Sequence, residues 1–297
     1  MGTRPNVRAD RRPASLNAMP LFRRLPIAER LAAIAALVAA LAALAGFVPG
    51  LYRDPQVVVA QSHGQDLANI VGVLVFALGL AAWARGSLRG RLIAIGALGY
   101  LFYSYVAFAF LVVLNPATVL YIAVLGFAGW SFAFGFAAVD DGDVEAAVDG
   151  HLARRATGVF LIALGLLFGA TWLGQIAGSV TSGHLPADLV QFGWPMNPYF
   201  VLDLGFLLPL MALAGIRLLT NRPGGARLAV PLLVFAPLMA LSILLTIVFG
   251  AADGQALEPS VLVMFGLVAV LAAMLAGLAL DPRPRHPASP LFGSRPA

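Results

Sequence analysis

Cysteine and lysine are both missing from this 297-residue chain. Without cysteine there are no disulfides, thiolate metal sites, iron–sulfur clusters or thiol redox chemistry. Without lysine, a retinal or another Schiff-base pigment has no amine for attachment. Histidine is scarce too, and the four histidines fall in predicted loops or tails, which argues against paired haem ligands inside a membrane. We therefore expect no cofactor.

Charge is also scarce. Only 11% of the residues are charged and 60% are hydrophobic, whereas soluble domains carry about 25% charged residues. This composition excludes a nucleic-acid-binding domain, a disordered chain and a disulfide-rich secreted protein. It predicts a multi-span membrane protein.

A helix needs roughly 20 consecutive, mainly apolar residues to cross the hydrocarbon of a bilayer. Eight segments meet this requirement, so the predicted fold is an all-α polytopic transmembrane helical bundle. Asn-Pro, a turn signal, separates the third segment from the fourth. The predicted spans are Leu31 to Leu51, Ala68 to Ala84, Leu92 to Leu114, Ala117 to Val139, Ala156 to Val180, Tyr199 to Leu219, Leu228 to Ala251 and Val261 to Leu280.

Arginine placement predicts the orientation, because the cytoplasmic loops of membrane proteins carry the excess of basic residues. Eighteen of the 19 arginines fall in the two tails and in the loops on one side of the predicted spans, and only Arg53 falls on the other side. Both termini are therefore expected to be cytoplasmic, which agrees with an even number of spans.

The chain divides into a first four-helix half at 30–139 and a second at 156–280. The basic turn Trp83 to Leu92 resembles Gly215 to Leu228, and an aspartate follows the last helix of each half. These similarities suggest two parallel four-helix repeats. The alternative is that basic turns look alike in any membrane protein.

Three further segments are polar. The tail 1–29 is basic and the tail 281–297 is rich in proline, so both are expected to be disordered and cytoplasmic, with the first attracting anionic membrane lipids. The linker 140–155 is acidic. It is expected to be solvated, although binding of a basic partner or a cation is an alternative.

Polar residues in the predicted spans concentrate toward the outer side, which predicts an outward-facing polar vestibule for a ligand. Asp203 stands out, about 8 Å into the sixth span at 1.5 Å per residue. It should be protonated or paired, with Arg53, or with Gln175 and a tyrosine. The candidate ligand-binding residues are Asp203, Gln175, Asn115, Tyr121, Asn69, Arg53 and Tyr103.

Two other interpretations of the polar residues are open. Asn197-Pro198 is a good helix start, so Asp203 is explained equally by helix capping or an interhelical hydrogen bond. A metal site would need the external residues His63, Asp66, His184 and Asp188 to meet. Their spacing matches no known metal motif, and the alternative is that they lie apart in outer loops.

The run Asn197-Pro198-Tyr199-Phe200-Val201-Leu202-Asp203-Leu204 with the later Arg222-Pro223-Gly224 resembles a pattern in uncharacterised multi-pass membrane proteins of high-GC bacteria. Tyr103-Ser104-Tyr105 and the stretch Asn115 to Tyr121 resemble a second part of that pattern, in which asparagine is expected where Ser104 stands. The resemblance implies a bacterial inner-membrane location. It draws attention to Asp203 and Asn115 and implies no activity.

The leading functional hypothesis is binding or transport of a small molecule or lipid through the vestibule. The second is a non-catalytic membrane subunit or scaffold that pairs with another membrane protein through the glycine face from Gly165 to Gly178. The third is an enzyme acting on lipid or quinone, with Asp203 and His184 or His63 as acid and base. Known catalytic motifs are absent from the sequence, so we lean against an enzyme.

Overall fold

A computed structural model describes residues 26–148 and 150–282, apart from the side chain of Asp188. The tails predicted to be disordered lie largely outside this part of the chain. Regular secondary structure in the described ranges is entirely helical, and eight of its helices are long and apolar enough to cross a membrane. The predicted all-α bundle of eight spans is confirmed.

Seven of the spans are single helices and the sixth is composite. The spans are α1 (Ile27–Ala45), α2 (Gln56–Trp83), α3 (Leu88–Phe110), α4 (Thr118–Ala137), α6 (Arg154–Ser182), the sixth span formed by α8 (Pro198–Leu202), a π-helical turn (Asp203–Leu207) and α9 (Leu208–Leu219), then α10 (Gly225–Ala252) and α11 (Pro259–Ala279). Two short helices lie between spans, α5 (Asp141–Val148) and α7 (Ala187–Phe192).

The second span begins 12 residues earlier than predicted, at Gln56 instead of Ala68. The extra turns carry glutamine, serine, histidine and aspartate, which a hydropathy criterion rejects. In the structure these turns pack against neighbouring helices, so Ser62, Gln65 and Asp66 are buried. Buried polar groups in proteins are generally hydrogen-bonded: Gln65 bonds to Ser104 and Ser242, and Asp66 accepts from Tyr52.

Helix α10 lies at the centre of the bundle. It packs against α2, α3, α9 and α11, while α1 packs against α2 and α4, and α6 packs against α9. Small residues permit the close approaches: a β-carbon on Gly64 would lie 2.5 Å from the Leu245 carbonyl oxygen, and one on Gly96 would lie 2.5 Å from that of Pro231. Close backbone packing of this kind is a main source of helix association in membranes.

The bundle has two chemically different ends. The arginine-rich end carries the turns at 84–87 and 220–224 and the linker with α5, whereas the arginine-poor end carries the loops at 46–55, 111–117, 183–197 and 253–258. Contacts between loops hold the arginine-poor end together, since the Val113 N–H donates to Asp54 at 2.9 Å and Gln56 donates to Asp253 at 3.2 Å.

The acidic linker contains a short helix. Its helix α5 buries Val144 and Val148. Arg227 on α10 forms an ion pair with Asp141 at 3.0 Å, and Arg154 forms one with Glu145. Two of the three acidic side chains of α5, Asp141 and Glu145, are thus paired with arginines of the same end, whereas Asp143 is exposed.

The sixth span widens into a π-helical turn over Asp203–Leu207. Proline at 209 explains this widening in part, because it has no N–H to donate to the carbonyl four residues earlier and its ring collides with that carbonyl. Such single-turn widenings are frequent at functional sites. Asp203 is the first residue of this turn.

Candidate functional site

A cavity of about 550 Å³ opens between α2, α3, α6, the sixth span, α10 and α11. Its wall is mostly apolar. Polar side chains are concentrated on one part of the wall and include Gln61, Gln65, Tyr103, Trp172, Gln175, Tyr199 and Asp203. A largely apolar cavity with a few converging polar groups is the usual form of a small-molecule site.

The cavity belongs to the arginine-poor half of the bundle. Helix α2 starts at that end and contributes only Val58 to Gln65, while α3 ends there and contributes Tyr103 to Val112. On α6 the lining stops at Leu164, and on α9 it stops at Met211. The turns of these helices nearest the arginine-rich end do not line the cavity.

Asp203 is the charged group of the cavity wall, and its side chain is 6% exposed. The Tyr103 hydroxyl donates to Oδ1 at 2.6 Å, and the Trp172 indole N–H donates to Oδ2 at 2.7 Å. Among the described residues, neither an arginine nor a histidine pairs with this carboxyl. Two neutral donors therefore fix the orientation of the carboxyl.

Helix geometry brings these three residues together. Asn197 caps the start of α8, since its side-chain oxygen accepts from the Tyr199 N–H at 2.9 Å. Asp203 follows one turn later, facing Tyr103 on α3 and Trp172 on α6. The predicted helix start is thus present, but the cap is Asn197 and Asp203 serves an interhelical contact.

Aromatic rings surround the carboxyl. Tyr199 stacks on Tyr103 with 5.2 Å between ring centroids, and Phe235 meets Tyr103 edge-on at 5.5 Å. Farther along the cavity, Phe168 on α6 stacks on Phe265 on α11 at 5.6 Å. Electron-rich ring faces close to a carboxyl form an environment suited to a cationic group.

Gln175 is a polar group without a hydrogen-bond partner. Its side-chain oxygen is buried at the cavity wall and no described residue donates to it. A buried acceptor left unpaired costs about 1–3 kcal/mol. A donor supplied by a ligand would remove that cost.

A chain of hydrogen bonds connects the cavity to the interior of the bundle. Gln65, which lines the cavity, donates to the Ser104 hydroxyl at 2.7 Å and accepts from Ser242. Ser104 in turn donates to the Asn69 oxygen at 2.7 Å, and Tyr100 donates to the same oxygen at 3.0 Å. This Gln65 network joins α2, α3 and α10 and fixes their register.

Three of the seven predicted ligand-binding residues, Asp203, Gln175 and Tyr103, meet at the cavity. The other four lie elsewhere. Asn69 is in the Gln65 network at the middle of α2, because that helix starts earlier than expected. Asn115 stabilises the turn between α3 and α4, accepting from the Ala117 N–H at 2.8 Å and donating to Val113 at 3.1 Å.

Tyr121 is buried against the rings of Tyr105 and Phe108 on α3 and does not itself line the cavity. Arg53 is exposed in the loop 46–55. The expected pairing of Asp203 with Arg53 or Gln175 is not found, since the partners of its two carboxyl oxygens among the described residues are Tyr103 and Trp172. The expected tyrosine is present.

The external histidines and aspartates are not gathered. His63 and Asp66, assigned to a loop by the sequence analysis, lie on α2, and His184 is exposed after α6. The part of the chain described here holds no group of three or more histidine, aspartate or glutamate side chains suited to a metal ion. The side chain of Asp188 lies outside that part.

Several residues of the candidate site are not predicted from the sequence. Trp172, which donates to Asp203, is not among the residues predicted for the site. Gln61 and Gln65 were placed in a loop because the start of α2 was misplaced. The sequence does contain a signal for the Gln65 network. Gln65 and Asn69 are four residues apart, as are Tyr100 and Ser104, and this spacing places each pair on one helix face.

No family model matches the chain, and searches of curated proteins and of solved structures found no significant match either. The geometry of the cavity is therefore the guide to function.

Proposed function

We propose that the protein binds an amphipathic small molecule or lipid in the cavity, with the polar end of the ligand at Asp203. The observation that carries this proposal is the position of a buried carboxyl, bonded to two neutral donors and to no described cation, on the wall of a cavity of about 550 Å³ inside the spans. Cavities of roughly 300–1,000 Å³ accommodate drug-sized ligands.

The donors around Asp203 favour a ligand whose polar end is cationic or rich in hydrogen-bond donors. Tyr103 and Trp172 each use one lone pair of the carboxyl, so each oxygen can accept a second hydrogen bond. Gln175 adds another acceptor. An ammonium group would also gain from the ring faces of Tyr103, Tyr199 and Trp172.

The apolar end of the ligand would lie between α6 and α11. Backbone contact between these two helices is slight, and Phe168 and Phe265 bridge the space. Leu164, Leu167, Met264 and Val268 line the same region. A chain lying there would be in contact with apolar side chains along its length and could enter from the lipid.

For the membrane context we propose a bacterial inner membrane with the arginine-rich end in the cytoplasm, as the basic loops predict. The cavity would then open toward the outside. Transport would require a second state in which the arginine-rich halves of the helices separate.

Native mass spectrometry of gently extracted protein tests the proposal. We expect a bound small molecule or lipid in the wild type and its loss in Asp203→Asn. Asp253→Asn is the matched control, since Asp253 lies in an exposed loop at the same end and outside the cavity lining. An empty wild-type protein, or equal retention in all three proteins, would contradict the proposal.

The alternative functions receive less support. An acid–base pair of Asp203 with a histidine is not formed, because His63 contacts Phe47 and Tyr52 and His184 is exposed. On the glycine face proposed for a partner, Gly165 lies against the Leu208 carbonyl oxygen within the same chain. Only its far part, Gly174 and Gly178, has open space in front of it.

A further inference from the structure

A second carboxyl lies inside the bundle, apart from the cavity. Asp66 is on α2, about 15 Å from the helix start at 1.5 Å per residue. Its side chain is 0% exposed. The Tyr52 hydroxyl donates to Oδ2 at 2.5 Å, and Oδ1 has no hydrogen-bond partner in the part of the chain described.

Among the described residues, no cationic side chain forms an ion pair with Asp66. The titratable groups that face it are phenols: Tyr52 from the loop 46–55, Tyr100 and Tyr105 from α3, and Tyr121 from α4. Helix α1 contributes buried alanines and the Ala39 carbonyl, which accepts from Tyr105, and α10 contributes the Ser242 hydroxyl of the Gln65 network.

Three other charged or titratable groups lie nearby without bonding to Asp66. His63, one turn earlier on α2, stacks on Phe47 and contacts the Tyr52 ring at 5.7 Å. Arg53 is exposed in the loop, and Asp54 accepts from the Val113 N–H. Described ion pairs occur only at the arginine-rich end.

We propose that Asp66 is a proton-binding site, with the proton on Oδ1 and the Tyr52 hydroxyl bonded to Oδ2. An isolated ionised carboxyl in such an environment is costly, and it is stabilised only by a cation or a proton. A metal ion would need several oxygen ligands, whereas Asp66 and the two nearest phenols, Tyr52 and Tyr121, provide few. A proton needs only the one oxygen that has no partner.

Tyr52 connects the Asp66 site to the arginine-poor end of the bundle. It belongs to the loop 46–55, which folds over the arginine-poor end, so the proton would enter and leave from that side. Burial raises the pKa of the Tyr52 phenol, as does the neighbouring Asp66, so Tyr52 stays a neutral donor across the physiological range. A movement of this loop would expose Asp66 to water and release the proton.

Asp66 directly follows Gln65 on α2, and Gln65 lines the cavity wall. Coupling between the proton and the ligand would follow from this shared helix. That coupling rests on the proposed function, whereas the proton site itself does not and can be tested without any ligand.

Infrared difference spectroscopy of the full chain in lipid tests the site. A protonated carboxyl gives a carbonyl stretching band that an ionised one lacks. We expect this band at neutral pH in the wild type and in Asp203→Asn, and its loss when Asp66→Asn is added to Asp203→Asn. Tyr52→Phe keeps the ring contacts but removes the donor, so the band should persist and shift.

Three results would overturn the proposal. One is the absence of a protonated carboxyl band in Asp203→Asn at neutral pH. Another is a band unchanged when Asp66→Asn is added to Asp203→Asn or, if that double variant does not fold, unchanged in Tyr52→Phe. The third is a stabilisation by Na⁺ over choline at equal ionic strength that Asp66→Asn abolishes, which would assign a metal ion to the site instead.

Discussion

Gly46 lies directly against the carboxyl of Asp66. A β-carbon built on Gly46 would come within 1.8 Å of Asp66 Oδ2 and 2.7 Å of the Tyr52 hydroxyl. The backbone at Gly46 is ordinary helical backbone, with φ of −55°. Glycine is thus required here by the close approach of the carboxyl and not by its own conformation.

Gly46→Ala should therefore displace the Asp66 carboxyl or the loop 46–55. We expect a loss of about 1–3 kcal/mol in the free energy of unfolding, the usual cost of overpacking. Thermal unfolding in a mild detergent measures it. Gly126→Ala on α4 is the control, because open space lies in front of Gly126, and alanine in a helix interior is neutral or slightly stabilising. Equal melting temperatures for the two variants would contradict the described contact.

Trp172→Phe tests the hydrogen bond to Asp203 while keeping an aromatic ring in the cavity wall. The variant removes one donor from the carboxyl, and a hydrogen bond to a charged group is worth about 1.5–3 kcal/mol. We expect the carboxyl to lose its fixed orientation and ligand affinity to fall about tenfold or more. Retention of the co-purified molecule in native mass spectrometry provides the readout.

Trp130→Phe is the matched control for that experiment. Trp130 is 62% exposed on α4 and lies outside the cavity lining. Its replacement should leave ligand retention unchanged. If both tryptophan variants retain the ligand equally, Trp172 orients Asp203 without contributing to binding.

The eight spans could be predicted because hydropathy and turn residues are local signals. The break between α3 and α4 followed from Asn115-Pro116, and the structure shows the asparagine holding that turn. Asp203 could be identified as unusual because a single carboxylate in an apolar run is costly wherever it points. Its partners could not be predicted, since Tyr103 and Trp172 are 100 and 31 residues away in sequence.

The start of α2 shows why the sequence predicts a loop at Asp66. Its first helical turns carry several polar residues. Whether such a segment forms a loop or a buried helix depends on what packs against it. Here Gln65 is paired with Ser104 and Ser242 from two other helices. The proposed repeat of two four-helix halves remains a prediction.

Ser104→Ala tests the Gln65 network. The change removes the hydroxyl that accepts from Gln65 and donates to Asn69. Both amides would lose a partner in a fully buried position, at a cost of about 1–3 kcal/mol in the free energy of unfolding. Thermal unfolding measures the loss. Ser260→Ala, at an exposed position at the start of α11, should have no effect, and an equally stable Ser104→Ala would show that water replaces the hydroxyl.

Arg227→Ala tests how the linker is attached to the bundle. The Arg227 guanidinium donates to the Val139 carbonyl at 3.0 Å, pairs with Asp141 at 3.0 Å and lies over the Phe136 ring at 4.8 Å. Removing all three interactions should release α5, so amide hydrogen exchange across 141–148 should become faster. Asp141→Asn removes only the half-exposed ion pair, which is worth about 0–1 kcal/mol, and should change exchange much less. Equal acceleration in both variants would mean that the ion pair alone holds the helix, and no acceleration in Arg227→Ala would mean that burial of Val144 and Val148 is sufficient.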